Sequence, residues 1–153
     1  MDPRGVSAPA IREQATGEPR FFTLEEANRT LPLVERIVRD IVEAYPRLQE
    51  RLRSFQRLAA EPGPLDRQRL ETLRESLDEQ IEELNDFLAE LRQIGCEFKG
   101  FEEGLVDFYS WRDGRPVFLC WKLGEDRIRY WHEVDAGYAG RQPIEPEVAA
   151  ARG

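Results

Sequence analysis

The stretch GLVDFYSWRDGRPVFLCWKLGEDRIRYWHEVDAGYAGRQPI, residues 104–144, decides the fold. Val106, Phe108 and Ser110 alternate with Leu105, Asp107, Tyr109 and Trp111, the period of a strand with one buried face. Asp113-Gly114 is the strongest short hairpin signal, because both residues tolerate the positive φ that a tight primed turn needs. Val117, Leu119 and Trp121 then alternate with Phe118, Cys120 and Lys122. A second turn at Gly124-Glu125-Asp126 leads to Ile128, Tyr130, His132 and Val134. The pattern predicts a three-stranded antiparallel meander. Its more apolar face, with Val106, Phe108, Val117, Leu119 and Trp121, should lie on helices.

Working outward, the preceding residues change period. Thr23-Leu24-Glu25-Glu26 is a capping box and predicts a helix start at Leu24. From Ala27 through Leu31, Val34, Val38, Ile41, Tyr45, Leu48 and Leu52 to Phe55, apolar residues step by fours and threes, the seam of a helix lying along another helix. Pro32 and Pro46 each remove an amide donor. Either one helix bends at both, or a short helix over 24–29 gives way to a long one near Pro32. Pro62-Gly63-Pro64 ends this element, and a proline suits the first position of the next. Leu70, Leu73, Leu77, Ile81, Leu84, Leu88 and Leu91 form the second seam, and Gly95 is a left-handed terminator. The fold class expected is α+β: a long antiparallel helical hairpin over 23–95, packed with the meander and a Gly-rich strap over 104–144. These make one domain over 21–144, between tails at 1–20 and 145–153 whose composition reads as disordered.

Several pieces resemble a bacterial family of unknown function, number 2203: FTLEEANRTLP (22–32), GLVDFY (104–109), DGRPVFLCW (113–121), the Gly-Glu turn at 124–125, YWHE (130–133) and DAGYAGRQPI (135–144). The resemblance runs from Phe22 to Ile144. It implies a standalone bacterial protein, and it carries over no reaction and no catalytic residue.

The 153 residues carry a net charge of −8. An acidic chain without a basic stripe lacks the clustered positive charge that nucleic acid and anionic lipid require. No apolar run approaches membrane-spanning length. The N-terminus lacks the apolar core of a secretory signal, and two cysteines make no disulfide framework, so the expected compartment is the cytoplasm.

Chemistry-bearing residues gather at the C-terminal end. A two-residue loop at 113–114 places Asp107 across from Cys120. An even second loop, such as Glu125-Asp126, pairs Leu119 with His132, turns the ring toward the helices and leaves Glu133 beside Asp107. An odd loop pairs Phe118 with His132 and sets the ring beside Asp107 and Cys120. The apolar Ile128 and Tyr130 favour the even register, which sends both to the core. The functional reading is a metal or acid/base site of Asp107, His132 and Glu133, with a divalent metal ion as the cofactor and Glu35 or Asp40 as further donors. The plainer reading is a satisfied sheet histidine, because no ligand pair has a diagnostic spacing.

In the strap, Gly137 and Gly140 could turn amides into an anion nest, with Arg141 gripping a small anion. The plainer reading is a strap with Arg141 clamped on Asp107, Glu133 or a helix carbonyl. Cys96 and Cys120 lack a basic cluster and read as inert buried thiols. Trp111, Trp121, Trp131, Tyr109 and Tyr130 could floor a ligand pocket, and more simply fill a core. Ile37, Val42 and Phe87 lie off the seams, which suggests a homodimer closing a four-helix bundle. The leading expectation is a small homodimeric binding or interaction protein working through Asp107, His132 and Arg141, with neither nucleic acid nor membrane as a partner. Its rivals are a small metal protein or enzyme using His132 with Asp107 and Glu133, and a regulatory module meeting a protein partner through the acidic face of 71–90.

Overall fold

The computed structural model describes residues 19–145. Helix α1 spans Leu24–Ala60 and α2 spans Arg67–Ile94. The capping box forms as read: the Glu26 amide donates to Thr23 Oγ1 at 3.0 Å and the Thr23 amide to Glu26 Oε1 at 2.9 Å. α1 runs as one helix through Pro32 and Pro46. Each proline costs about 3 kcal/mol in a helix interior. The buried seam on both sides, including Leu31, Val34 and Leu48, offsets that cost.

α2 starts later than Pro64. A turn holds Gly63 to Asp66, whose carboxylate accepts from the Gly63 amide at 2.6 Å and so makes no cap bond to α2. Gly95 ends α2 at φ 113° with its amide on the Leu91 carbonyl. Arg20 already belongs to the fold, donating to the Ile94 carbonyl at 2.9 Å. The expected tails otherwise lie outside the described residues.

The sheet has five antiparallel strands in sequence order: β1 Glu97–Gly100, β2 Leu105–Arg112, β3 Arg115–Lys122, β4 Tyr130–Glu133 and β5 Gln142–Pro143. The three central strands are the meander read from the sequence. β1 and β5 are added at its edges, too short for an alternation to declare them. Asp113 and Gly114 take φ 52° and 78°, the primed hairpin turn, and Arg112 pairs with Arg115.

One face of the sheet, with Val106, Phe108, Val117, Leu119, Trp121 and Trp131, joins the helix seams in a single core. Ile37 is buried in it, and Val42 and Phe87 pack against it.

The favoured even register for β3 and β4 is not the one formed. Phe118 pairs with His132 and Leu119 with Trp131. Trp131, not His132, faces the helices. Burying an indole hides about 150–250 Å², worth about 4–6 kcal/mol at ~25 cal/mol per Å². Ile128 is buried as well, but from the connecting loop, where its amide donates to Asn28 Oδ1 of α1 at 2.8 Å. The loop over 123–129 thus delivers Ile128 to the core independently, while Tyr130, also expected in the core, lies half-buried on the other face beside Arg141.

Candidate functional site

The second face of the sheet looks away from the helices. Register alone sets its polar row: Glu97 lies beside Asp107, Asp107 beside Cys120 and Cys120 beside Tyr130. His132 stands one pair along, opposite Phe118, and reaches diagonally. Asp107, Cys120 and His132 are all buried, at 3%, 1% and 1% exposure. A carboxylate oxygen, a sulfur and a ring nitrogen, one from each, lie within 4.8 Å of one another.

His132 Nε2 is 3.1 and 3.2 Å from the two Asp107 oxygens. Its Nδ1 is 2.7 Å from the Glu133 carbonyl oxygen. A carbonyl only accepts, so Nδ1 carries a proton and donates it there. In the neutral ring Nε2 then presents a lone pair to a carboxylate, an acceptor facing an acceptor. A contact of that length holds either a proton shared by the ring and the carboxyl group or a metal cation between them.

Lys99 on β1 also reaches the pocket, with Nζ 3.0 Å from Asp107 Oδ2 and 4.3 Å from the Phe118 ring centre. Burial pulls its ammonium down, and the Asp107 and Glu97 carboxylates together more than offset this, leaving the pKa above the ordinary lysine value. Burial pushes the Cys120 thiol up to about 12, with the Asp107 charge adding to the rise and the Arg141 guanidinium opposing it. Cys96 is likewise raised to about 12, chiefly by burial. Both are protonated thiols at neutral pH in the metal-free protein, as the sequence suggested.

Glu133 does not join the cluster. It pairs with Val117, so its side chain takes the opposite face, where Arg115 holds it through two hydrogen bonds of 3.0 and 2.5 Å. That pairing lowers the Glu133 pKa. Neighbouring residues in a strand point to opposite faces, so an Asp107/His132/Glu133 ligand set is excluded by the same register that creates the Asp107/Cys120/His132 set. Glu133 contributes its carbonyl alone. Glu35 pairs with Arg39 on α1 at 2.7 Å, and neither it nor Asp40 enters the cluster.

The strap crosses this second face. Gly137 takes φ 74° and lines the pocket with Tyr138. No anion nest forms here from the Gly140 and Arg141 amides, which donate to the Gly137 and Tyr138 carbonyls within their own turn. Arg141 is a clamp, but on other partners than those expected: it donates to Glu125 Oε1 at 2.8 Å and to the Cys120 carbonyl at 3.2 Å. Its guanidinium lies against the Tyr130 and Tyr138 rings at 4.1 and 4.8 Å.

Together these groups enclose a pocket of about 240 Å³, walled by the three buried residues with Lys99, Leu105, Gly137 and Tyr138. Lys99 escaped the sequence reading, because β1 is too short for its alternation to show. The tryptophans serve structure. Trp121 is fully buried with its indole on the Glu125 carbonyl, Trp131 packs beneath Arg112, and Trp111 stacks on Phe21 at 4.5 Å. A larger groove of about 350 Å³ near the start of α1 lacks convergent chemistry. Its Thr23 and Glu26 are spent in the capping box, and Ser110 donates to the Phe22 carbonyl.

No helix among the described residues is long and apolar enough to cross a membrane. No curated protein and no solved structure matches the chain. A family model does match, over residues 20–144. The likeness seen in the capping box, the β2–β3 hairpin and the strap therefore extends across most of the sequence, and the chain belongs to the family described as "Uncharacterized conserved protein (DUF2203)".

Proposed function

We propose that this is a metal-binding protein whose centre holds a divalent ion of the zinc class through Asp107, Cys120 and His132. The observation that carries the reading is the convergence of a carboxylate oxygen, a sulfur and a ring nitrogen within 4.8 Å of one another, all three residues buried. Tetrahedral zinc with bonds of about 2.0–2.1 Å to nitrogen and oxygen sets those ligands about 3.3 Å apart. That edge is already in place, and the Cys120 sulfur lies within 4.8 Å of both donors. A mixed nitrogen, oxygen and sulfur set suits zinc better than magnesium or calcium, which prefer oxygen alone. The Glu133 carbonyl fixes the tautomer with Nε2 free to ligate, the usual supporting bond of a metal histidine. Lys99 on Oδ2 leaves Oδ1 for the ion.

This reading takes up the rival expectation of a small metal protein, with Cys120 in the place given to Glu133. The test is metal analysis of untagged protein incubated with zinc and passed through a desalting column. Wild type should retain about one equivalent, and Cys120→Ala and His132→Ala well under half. Retention below about a tenth of an equivalent by folded wild type, with no rise in its melting temperature on adding zinc, refutes the proposal.

A further inference from the structure

We infer that this centre takes a small monocarboxylate as its fourth ligand, with one carboxylate oxygen on the ion and the other on the Lys99 ammonium. The inference rests on the metal reading above and adds the ligand. Among the described residues the donor cluster has three members, Asp107, Cys120 and His132. A tetrahedral ion bound by three protein groups keeps one vertex for water or an exogenous molecule. All three donors line the same pocket, so the ion would sit in its wall with that vertex inside.

The rest of the pocket states what fits. An ammonium has three donors, and Lys99 makes one hydrogen bond there, to Asp107 Oδ2. Its other acidic neighbour, Glu97, stands at 3.6 Å, a distance for charge attraction rather than hydrogen bonding. Donors therefore remain beside the ion. The Arg141 charge is matched by Glu125. Glu97, the one further acid beside Lys99, is as exposed as the ammonium itself, so a carboxylate competes with it for Lys99 on near-equal terms. Leu105 and the Tyr138 ring supply apolar wall, and the volume of about 240 Å³ suits an acyl group of a few carbons.

Cobalt(II) is the probe, because its visible spectrum reports thiolate ligation and coordination number separately. The cobalt-loaded full chain is titrated with sodium acetate and sodium propionate, with sodium chloride as the ionic-strength control. The expected result is a thiolate-to-cobalt band whose companion ligand-field bands shift saturably at millimolar carboxylate and not with chloride. Lys99→Met should weaken carboxylate binding about tenfold or more and leave the thiolate band in place. Lys99→Arg, which keeps the charge, should retain part of the effect, and near-ultraviolet circular dichroism confirms that both variants are folded. Three results overturn the inference alone: ligand-field bands that carboxylates leave unmoved at tens of millimolar, an equal shift with chloride, or unaltered carboxylate affinity in folded Lys99→Met. Absence of any thiolate-to-cobalt band in wild type overturns the metal reading and this inference with it.

Discussion

Asp107→Asn separates the two ways in which the buried cluster can be satisfied. In wild type the carboxylate faces Lys99 at 3.0 Å and the imidazole at 3.1 and 3.2 Å. The substitution keeps the shape and exchanges one acceptor oxygen for an amide donor. With Nδ1–H on the Glu133 carbonyl, the amide can donate to Nε2, so the neutral ring becomes fully satisfied without a cation. The lost Lys99 pair is worth about 1 kcal/mol at most, because that side chain is 39% exposed and reaches water. Urea unfolding in chelator should therefore show Asp107→Asn within about 1 kcal/mol of wild type. Asp107→Ala should cost about 1–3 kcal/mol more, since it leaves the buried ring nitrogen without a partner. Zinc reverses this modest picture. Free zinc at about a thousand times its dissociation constant stabilises wild type by about 4 kcal/mol, a shift of roughly 8–16 °C for a domain of this size. Asp107→Asn should forfeit most of that gain. Two outcomes refute the reasoning. An equal zinc response in the variant means that the carboxylate is no ligand. A loss of more than about 3 kcal/mol in chelator means that the pocket relies on a buried imidazolium–carboxylate pair instead.

Other perturbations test the fold that builds the pocket. Trp131→Ala should lower stability by about 3–5 kcal/mol in urea unfolding, because this indole holds β4 in register on the core face; a cost below about 1 kcal/mol would contradict that role. Gly95→Ala should cost at least about 1 kcal/mol in the same assay, since φ is 113° and the new Cβ would meet Arg20 Cδ at 2.8 Å. Cys96 has a folded pKa near 12 against an ordinary 9.0, so unfolding releases its proton in alkaline solution. Its contribution to stability is therefore complete below about pH 9 and is lost as pH rises from 9 toward 12. Cys96→Ala should flatten the alkaline limb of the pH–stability curve, and an unchanged limb would count against the burial argument. At pH 8 a thiol-exchange reagent should find Cys96 and Cys120 inert in native metal-free protein and reactive in urea; fast native labelling would show that the thiols are not enclosed.

Much of this was legible along the chain because its causes are local. The capping box at Thr23 and Glu26, the heptad-like seams, the Gly95 stop and the Asp113-Gly114 turn each depend on a few consecutive residues whose sterics and hydrogen bonds are nearly independent of the rest. Hence the hairpin of helices, the α+β class and the opposition of Asp107 and Cys120 could all be read before any coordinates. The edge strands β1 and β5 could not. Four and two residues are too few for a period, and they pair because a neighbouring strand presents free amides and carbonyls.

Tertiary structure alone settled which way the imidazole points. The parity of the 123–129 loop depends on where Ile128 finds its burial site and its bond to Asn28 on α1, a partner 100 residues earlier. Once Ile128 is anchored there, Trp131 takes the core and His132 must take the other face. One residue of slip would have moved Glu133 into the pocket and His132 out of it. The side-chain inventory of a site is thus written in the sequence, but its membership is decided by long-range packing, because a strand exposes its two faces by turns and only the rest of the fold says which face comes next.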